Sequence, residues 1–162
     1  MPGGIAIRPA EAADMPAVAA LFREYADALG VDLCFQGFAA ELAGLPGGYA
    51  APTGALLVAV PAAGELVGCV GVRALAEPGG CEMKRLYARP GTRGSGVGRA
   101  LAVAAIEAAT GMGYARMCLD TLPDMTAAQG LYRSLGFETV PSYYETPLAG
   151  TIFMQKSLCS GS

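Results

Sequence analysis

The stretch Arg93-Gly94-Ser95-Gly96-Val97-Gly98-Arg99 is the part of the chain whose residue types and spacing most clearly suit a ligand. Glycines allow backbone turns in which successive N–H groups converge on one point. A helix opening there adds partial positive charge, and the two arginines add full charges. Together these make a cradle for a diphosphate. A P-loop would need Lys-Ser/Thr after its last glycine, and none follows. A dinucleotide site would need G-x-G-x-x-G after the first strand of a βαβ unit. Here Gly94, Gly96 and Gly98 alternate, and they follow a fourth strand.

Other chemistry is narrowed by absence. The sequence has no histidine, which removes histidine triads, histidine-bearing zinc sites and histidine bases. Five cysteines, at 34, 69, 81, 118 and 159, lack C-x-x-C spacing. Cys69, Cys81 and Cys118 sit in apolar, strand-like contexts and read as buried thiols of a reducing cytosol. No metal site is expected.

A cradle of this kind must be held by a strand before it and a helix after it. Cys81–Ala88 supplies the strand pattern, and a helix runs from the glycines to about Met112, closed by Gly111 and Gly113. Upstream, Ile5–Arg8 reads as a strand. Asp14 and Pro16 then suit a helix start, and Val18, Leu21, Phe22, Tyr25 and Leu29 recur at helical spacing to Gly30. Phe35–Leu45 reads as a loop and a short helix. Ala55–Val60 and Leu66–Ala74 form a hairpin about Pro61–Glu65. Downstream, Met117–Thr121 is strand-like, Thr126–Leu135 is helical, and Phe137–Tyr143 and Thr151–Lys156 read as two last strands.

This order, β α α β β β α β α β β, predicts a single α/β domain over 1–162 with a mixed, mostly antiparallel sheet. The 162 residues are 53% hydrophobic and 15% charged, enough to build a core. The net charge of −3 argues against a nucleic-acid partner. No apolar run approaches the ~18 residues of a membrane span, and Met1–Ile5 has no signal-peptide pattern. A cytoplasmic protein without a membrane partner is expected.

Three segments in order carry a family resemblance. Arg93-x-x-Gly96-x-Gly98 fits [QR]-x-x-G-x-[GA], Cys81–Pro90 precedes it as a strand, and Ala128-Gln129-Gly130-Leu131-Tyr132-Arg133-Ser134-Leu135-Gly136-Phe137 fits A-x-x-L-Y-x-x-x-G-F. In these the chain resembles the GCN5-related N-acetyltransferases, the GNAT superfamily. The resemblance covers about 81–137 by motif and the rest by element order. It implies a sheet of about six to seven strands, flanked by about four helices and splayed between the fourth and fifth strands. The family's asparagine seven residues before the tyrosine is Met125 here.

The resemblance implies acetyl-CoA as donor and direct attack by an amine in a ternary complex. The diphosphate would rest on Arg93, Gly94, Ser95, Gly96, Val97, Gly98 and Arg99, with N–H donors from Ser95 through Arg99. The pantetheine arm would lie along Leu86, Tyr87 and Ala88, where the N–H of Leu86 or Ala88 would polarise the thioester carbonyl. Tyr132 takes the family's general-acid position, and a phenol of pKa about 10 can protonate a thiolate. Glu82 is the candidate base, with Glu145 or a water chain as alternatives. Strand alternation puts Glu82, Lys84, Leu86 and Ala88 on one face, where Lys84 could instead pair with Glu82.

The acceptor pocket would draw on Phe22, Tyr25, Phe35, Gln36, Tyr143, Tyr144 and Glu145. Paired tyrosines could ring an amine or form a packed corner. Glu24, Asp27, Asp32, Glu41 and Glu145 favour a cationic small amine. A protein lysine or N-terminal amine is the alternative acceptor, and a silent acyl-CoA-binding module the alternative class. Homodimers are common in the family, and the apolar run Ile152–Leu158 would offer an edge.

Overall fold

The computed structural model describes residues 4–30, 37–92, 95–146 and 148–158. Phe35, Gln36, Asp32, Arg93 and Gly94, together with Cys34 and Cys159, lie outside the described residues. Seven strands form one sheet: β1 (Ala6–Pro9), β2 (Ala55–Val60), β3 (Gly68–Ala74), β4 (Gly80–Ala88), β5 (Arg116–Thr121), β6 (Glu138–Val140) and β7 (Ile152–Ser157). Their order is β1-β2-β3-β4-β5-β7-β6. Every pairing is antiparallel except β4 with β5. Four helices accompany them: α1 (Met15–Leu29), α2 (Phe38–Ala43), α3 (Val97–Gly111) and α4 (Thr126–Ser134). The expected α/β architecture is the observed one.

Alternation along the strands sorts side chains onto two faces. Leu57, Ala59, Val70, Val72, Cys81, Met83, Met117, Leu119 and Met154 pack with Leu101, Ala102, Ala105 and Ala109 of α3. Glycine at 68 lets α3 lie close: a Cβ there would stand 2.9 Å from Leu101 Cδ1. On the other face Leu56, Val58, Cys69 and Tyr87 pack with Val18, Leu21 and Phe22 of α1. Phe22 is therefore a core residue, stacked edge-on against Tyr49 at 6.0 Å, and does not line an acceptor pocket. The three described cysteines are buried free thiols, as expected.

Local signals behave as their chemistry predicts, with two exceptions. Gly30 closes α1 in the left-handed conformation at φ 68. Asp14 precedes α1 but caps nothing there with its side chain; its carboxylate takes the Glu11 N–H at 2.7 Å and pairs with Arg8. The strand expected over Phe137–Tyr143 is short, and Tyr143 and Tyr144 lie in the turn that follows. β7 runs between β5 and β6, with Phe153, Met154 and Leu158 buried. The apolar run Ile152–Leu158 is thus an interior strand and not a free edge.

Two irregularities in β4 shape everything that follows. The register against β3 slips between Gly71↔Lys84 and Cys69↔Tyr87, which inserts one extra residue in β4. Arg85 takes up that bulge at φ 60, an uncommon value for a side-chain-bearing residue. The second irregularity is on the other edge of β4. It pairs with β5 only at Gly80↔Arg116, Cys81↔Met117 and Glu82↔Cys118, after which the two strands separate.

Candidate active site

The bulge reverses the alternation expected for β4. Glu82 and Lys84 face the α1 side, while Leu86 and Ala88 beyond Arg85 pack toward the α3 core. The four residues do not share a face, because the extra residue shifts the phase by one. Where β5 has separated, the backbone of β4 lacks its second neighbour. The Arg89 N–H bonds to Val67 O at 2.9 Å and Tyr87 pairs with Cys69. The alternate residue, Ala88, therefore points its N–H away from β3, into the gap.

That gap is a cleft of about 690 Å³. It is lined by Leu86, Tyr87 and Ala88 on one side and by Gly96, Val97, Gly98 and Arg99 at the start of α3 on another. Gly96 takes φ 83, and a Cβ at Gly98 would meet nothing within 4 Å, so the turn is open to a ligand. The first amides of a helix have no intrahelical acceptor and face outward. Ser95 departs from expectation: its N–H and its hydroxyl both bond to Thr92 O. The run of donors begins after Ser95. A free strand edge beside a helix N-terminus matches what an amide-bearing arm ending in a diphosphate requires.

A second cleft, of about 570 Å³, opens on the α1 face where no helix covers the sheet. Its floor is Arg73 of β3, Glu82 and Lys84 of β4, Cys118 of β5 and Gln155 of β7. Tyr143, Tyr144 and Glu145 line it from the turn after β6. The two tyrosine rings stack edge-on with each other at 5.4 Å and with Phe153 at 5.2 and 5.1 Å. They form a packed corner and line the cleft at once.

Each tyrosine of that turn caps a carboxylate. Tyr143 donates to Glu82 Oε2 at 2.6 Å, and Tyr144 donates to Asp120 Oδ2. Burial, then the facing carboxylates, push both phenols well above their usual range. Glu82 takes its other bond from Arg73 at 3.1 Å, where alternation suggested Lys84. Lys84 Nζ stands 3.6 Å from Asp120 Oδ2 instead. Burial pulls the Lys84 pKa down, against the nearby carboxylates.

Between the clefts lies a small junction lined by Tyr25, Leu29, Arg85, Asp120, Met125 and Tyr144, among others. Tyr25, Leu29 and Met125 also line the first cleft, and Tyr144 the second. Tyr25 is thus shared between the cofactor-side cleft and the junction, with its hydroxyl pushed up to about 12 by burial. Met125, at the asparagine position, accepts from Thr121 Oγ1 at 3.7 Å and lines both spaces. Tyr132 is 6% exposed, packs edge-on against Phe137 at 5.9 Å and lines neither cleft. Burial, with Tyr25 and Asp120 nearby, pushes its hydroxyl pKa up.

Two acidic groups assigned to the acceptor face are otherwise engaged. Glu24 holds Arg89 at 2.8 Å, and Glu41 holds Arg85 through bonds of 2.9 and 3.0 Å. Arg85 is buried beneath the junction, its guanidinium 5.1 Å from the Phe38 ring centre and 5.8 Å from that of Tyr25. Sequence reasoning missed Asp120, Arg73 and Gln155. A lone aspartate in the apolar strand Met117–Thr121, two residues from Cys118, was the available signal.

Comparison with known proteins agrees with this geometry. The model of the acetyltransferase (GNAT) family matches residues 19–137. The chain belongs to the GNAT acetyltransferases. An uncharacterized N-acetyltransferase of Schizosaccharomyces pombe is 42% identical over 135 residues, covering 83% of each chain. A GNAT acetyltransferase structure from Staphylococcus aureus superposes with TM-score 0.80 at 17% identity, over 95% of this chain and 99% of that one. The PaiA N-acetyltransferase of Thermoplasma acidophilum, solved with coenzyme A, superposes with TM-score 0.74 at 18% identity, over 94% and 98%. This GNAT chain is an acetyltransferase, and the donor of its family is acetyl-CoA. Among the described residues no helix is long and apolar enough to cross a membrane, and no cluster suits a metal ion.

Proposed function

We propose that this enzyme transfers the acetyl group of acetyl-CoA to a primary amine of a small molecule, by direct attack with both substrates bound. The observation that carries this reading is the pair of clefts, with a small junction between them that shares Tyr25 and Met125 with the first and Tyr144 with the second. Acetyl-CoA supplies an activated thioester. The amides of Val97, Gly98 and Arg99 and the Arg99 side chain suit its diphosphate, joined by Arg93 and Gly94. Leu86, Tyr87 and Ala88 line the gap that opens where β4 leaves β5, and the Ala88 N–H is aimed into it as a carbonyl donor would be.

Tyr132 is the proton donor in this reading. Its assignment rests on its place in the A-x-x-L-Y-x-x-x-G-F segment: burial keeps its hydroxyl protonated but makes it a weaker acid, and its ring lines neither cleft. Glu82 and Glu145 line the acceptor cleft as proton acceptors, with Tyr143 and Tyr144 shaping its wall. A cleft of this volume suits a small molecule better than a folded protein surface. The test is thiol release from acetyl-CoA against amines, amino acids, polyamines and peptides. Turnover with a small amine supports the reading. Turnover only with peptides moves the acceptor to protein, and none at all with tight acetyl-CoA binding supports a silent binding module.

A further inference from the structure

Resting on the amine-acceptor reading, we infer that Asp120 binds the acceptor's ammonium through Oδ1, and that the junction admits only an unhindered primary amine. Two carboxylates share the open face of the sheet, and their bonding differs. Glu82 has both oxygens engaged, Oε1 by Arg73 at 3.1 Å and Oε2 by Tyr143 at 2.6 Å. Asp120 is engaged on one oxygen only. Oδ2 takes the Tyr144 hydroxyl and faces Lys84 Nζ at 3.6 Å. Oδ1 makes no hydrogen bond with the described residues. Since no fully buried side-chain oxygen among them lacks a partner, Oδ1 borders open space.

Asp120 lines the junction, about 20 Å³ in volume. A water molecule needs about 10–15 Å³ of such space. A –NH3+ group is of that size, whereas a ring or a methylated nitrogen is larger. The rings of Tyr25 and Tyr144 line the same space and suit a cation. Arg85 also lines it, but its charge is already matched by Glu41 at 2.9 Å. Tyr144 and Lys84 act here as positioning residues, since they hold Oδ2 and leave Oδ1 turned to the acceptor.

The test uses propylammonium and N,N,N-trimethylpropylammonium as probes on the full chain, with carbon-13 in the carboxyls of aspartate and glutamate. Propylammonium should shift the Asp120 carboxyl resonance saturably, and the trimethyl probe should not. Asp120→Asn should weaken propylammonium binding by about tenfold or more while coenzyme A binding, read by calorimetry, persists. Asp120→Ser serves if the asparagine protein fails to fold. In turnover the loss should fall on KM for the amine and not on KM for acetyl-CoA. A saturable shift at Glu82 instead, equal binding of the trimethyl probe, absence of binding, or an unchanged affinity in Asp120→Asn overturns the inference. If propylammonium binds at Asp120 but no amine turns over, the transfer reading fails and this one stands.

Discussion

Glu41 and Arg85 are far apart in sequence, yet each completes the other below the site. Their pair is bidentate, and Tyr49 adds a bond to Glu41 at 3.0 Å. Removing one partner of a buried pair strands the other's charge, so Glu41→Ala should lower unfolding stability by about 3–5 kcal/mol, read in urea. Tyr132→Phe keeps the packing against Phe137 and removes only the hydroxyl. If that hydroxyl protonates the leaving thiolate, kcat should fall by about 10²–10⁴-fold with acetyl-CoA binding intact. Unchanged kcat would remove Tyr132 from the chemistry. At this scale the glycine turn was legible, because its chemistry lies in consecutive residues. Asp120 was not, because its meaning depends on Tyr144 and Lys84, which only the folded sheet brings beside it.

The elements themselves were readable from periodicity, and β2, β4, β5, α1, α3 and α4 fall within a residue or two of expectation. What periodicity cannot reveal is a single inserted residue. The bulge at Arg85 leaves no trace in the apolar pattern, yet it sends Glu82 and Leu86 to opposite faces. It also needs room opposite, which glycine provides. A Cβ on Gly71 would stand 2.6 Å from the ring of the buried Tyr49. Gly71→Ala should therefore destabilise by about 1–3 kcal/mol through overpacking, seen as a lower urea midpoint with an unchanged slope. A midpoint equal to the parent's would mean that Tyr49 has space to move.

Across the molecule, charge pairs tie the elements together and set its response to acid. Asp14 and Glu24 sit below their ordinary carboxyl values of 3.8 and 4.5, held by Arg8 and Arg89. In Glu41 burial pushes the other way, but the bonds and charge of Arg85 outweigh it. A carboxyl with a depressed folded pKa stabilises the fold above its unfolded value and loses that as pH falls through the folded one. The urea midpoint should accordingly hold near neutrality and drop once pH passes below the unfolded value of 4.5. Glu41→Gln should start lower and lose less over the same interval. The thiols should be silent in the native protein: burial pushes Cys81 up to about 12 and raises Cys69 and Cys118 as well. Iodoacetamide followed by peptide mapping should label Cys69 and Cys81 only after unfolding, with Cys118, on the floor of the second cleft, the first of the three to react. The seam between β4 and β5 has a mechanical meaning too. Three residue pairs stitch the β1–β4 wing to the β5–β7–β6 wing, and beyond them the backbone ladder is missing its rungs. A strand-like ligand arm lying there would act as a removable eighth strand, so the sheet is complete only while substrate is bound, and amide exchange on either side of the seam would slow together on loading.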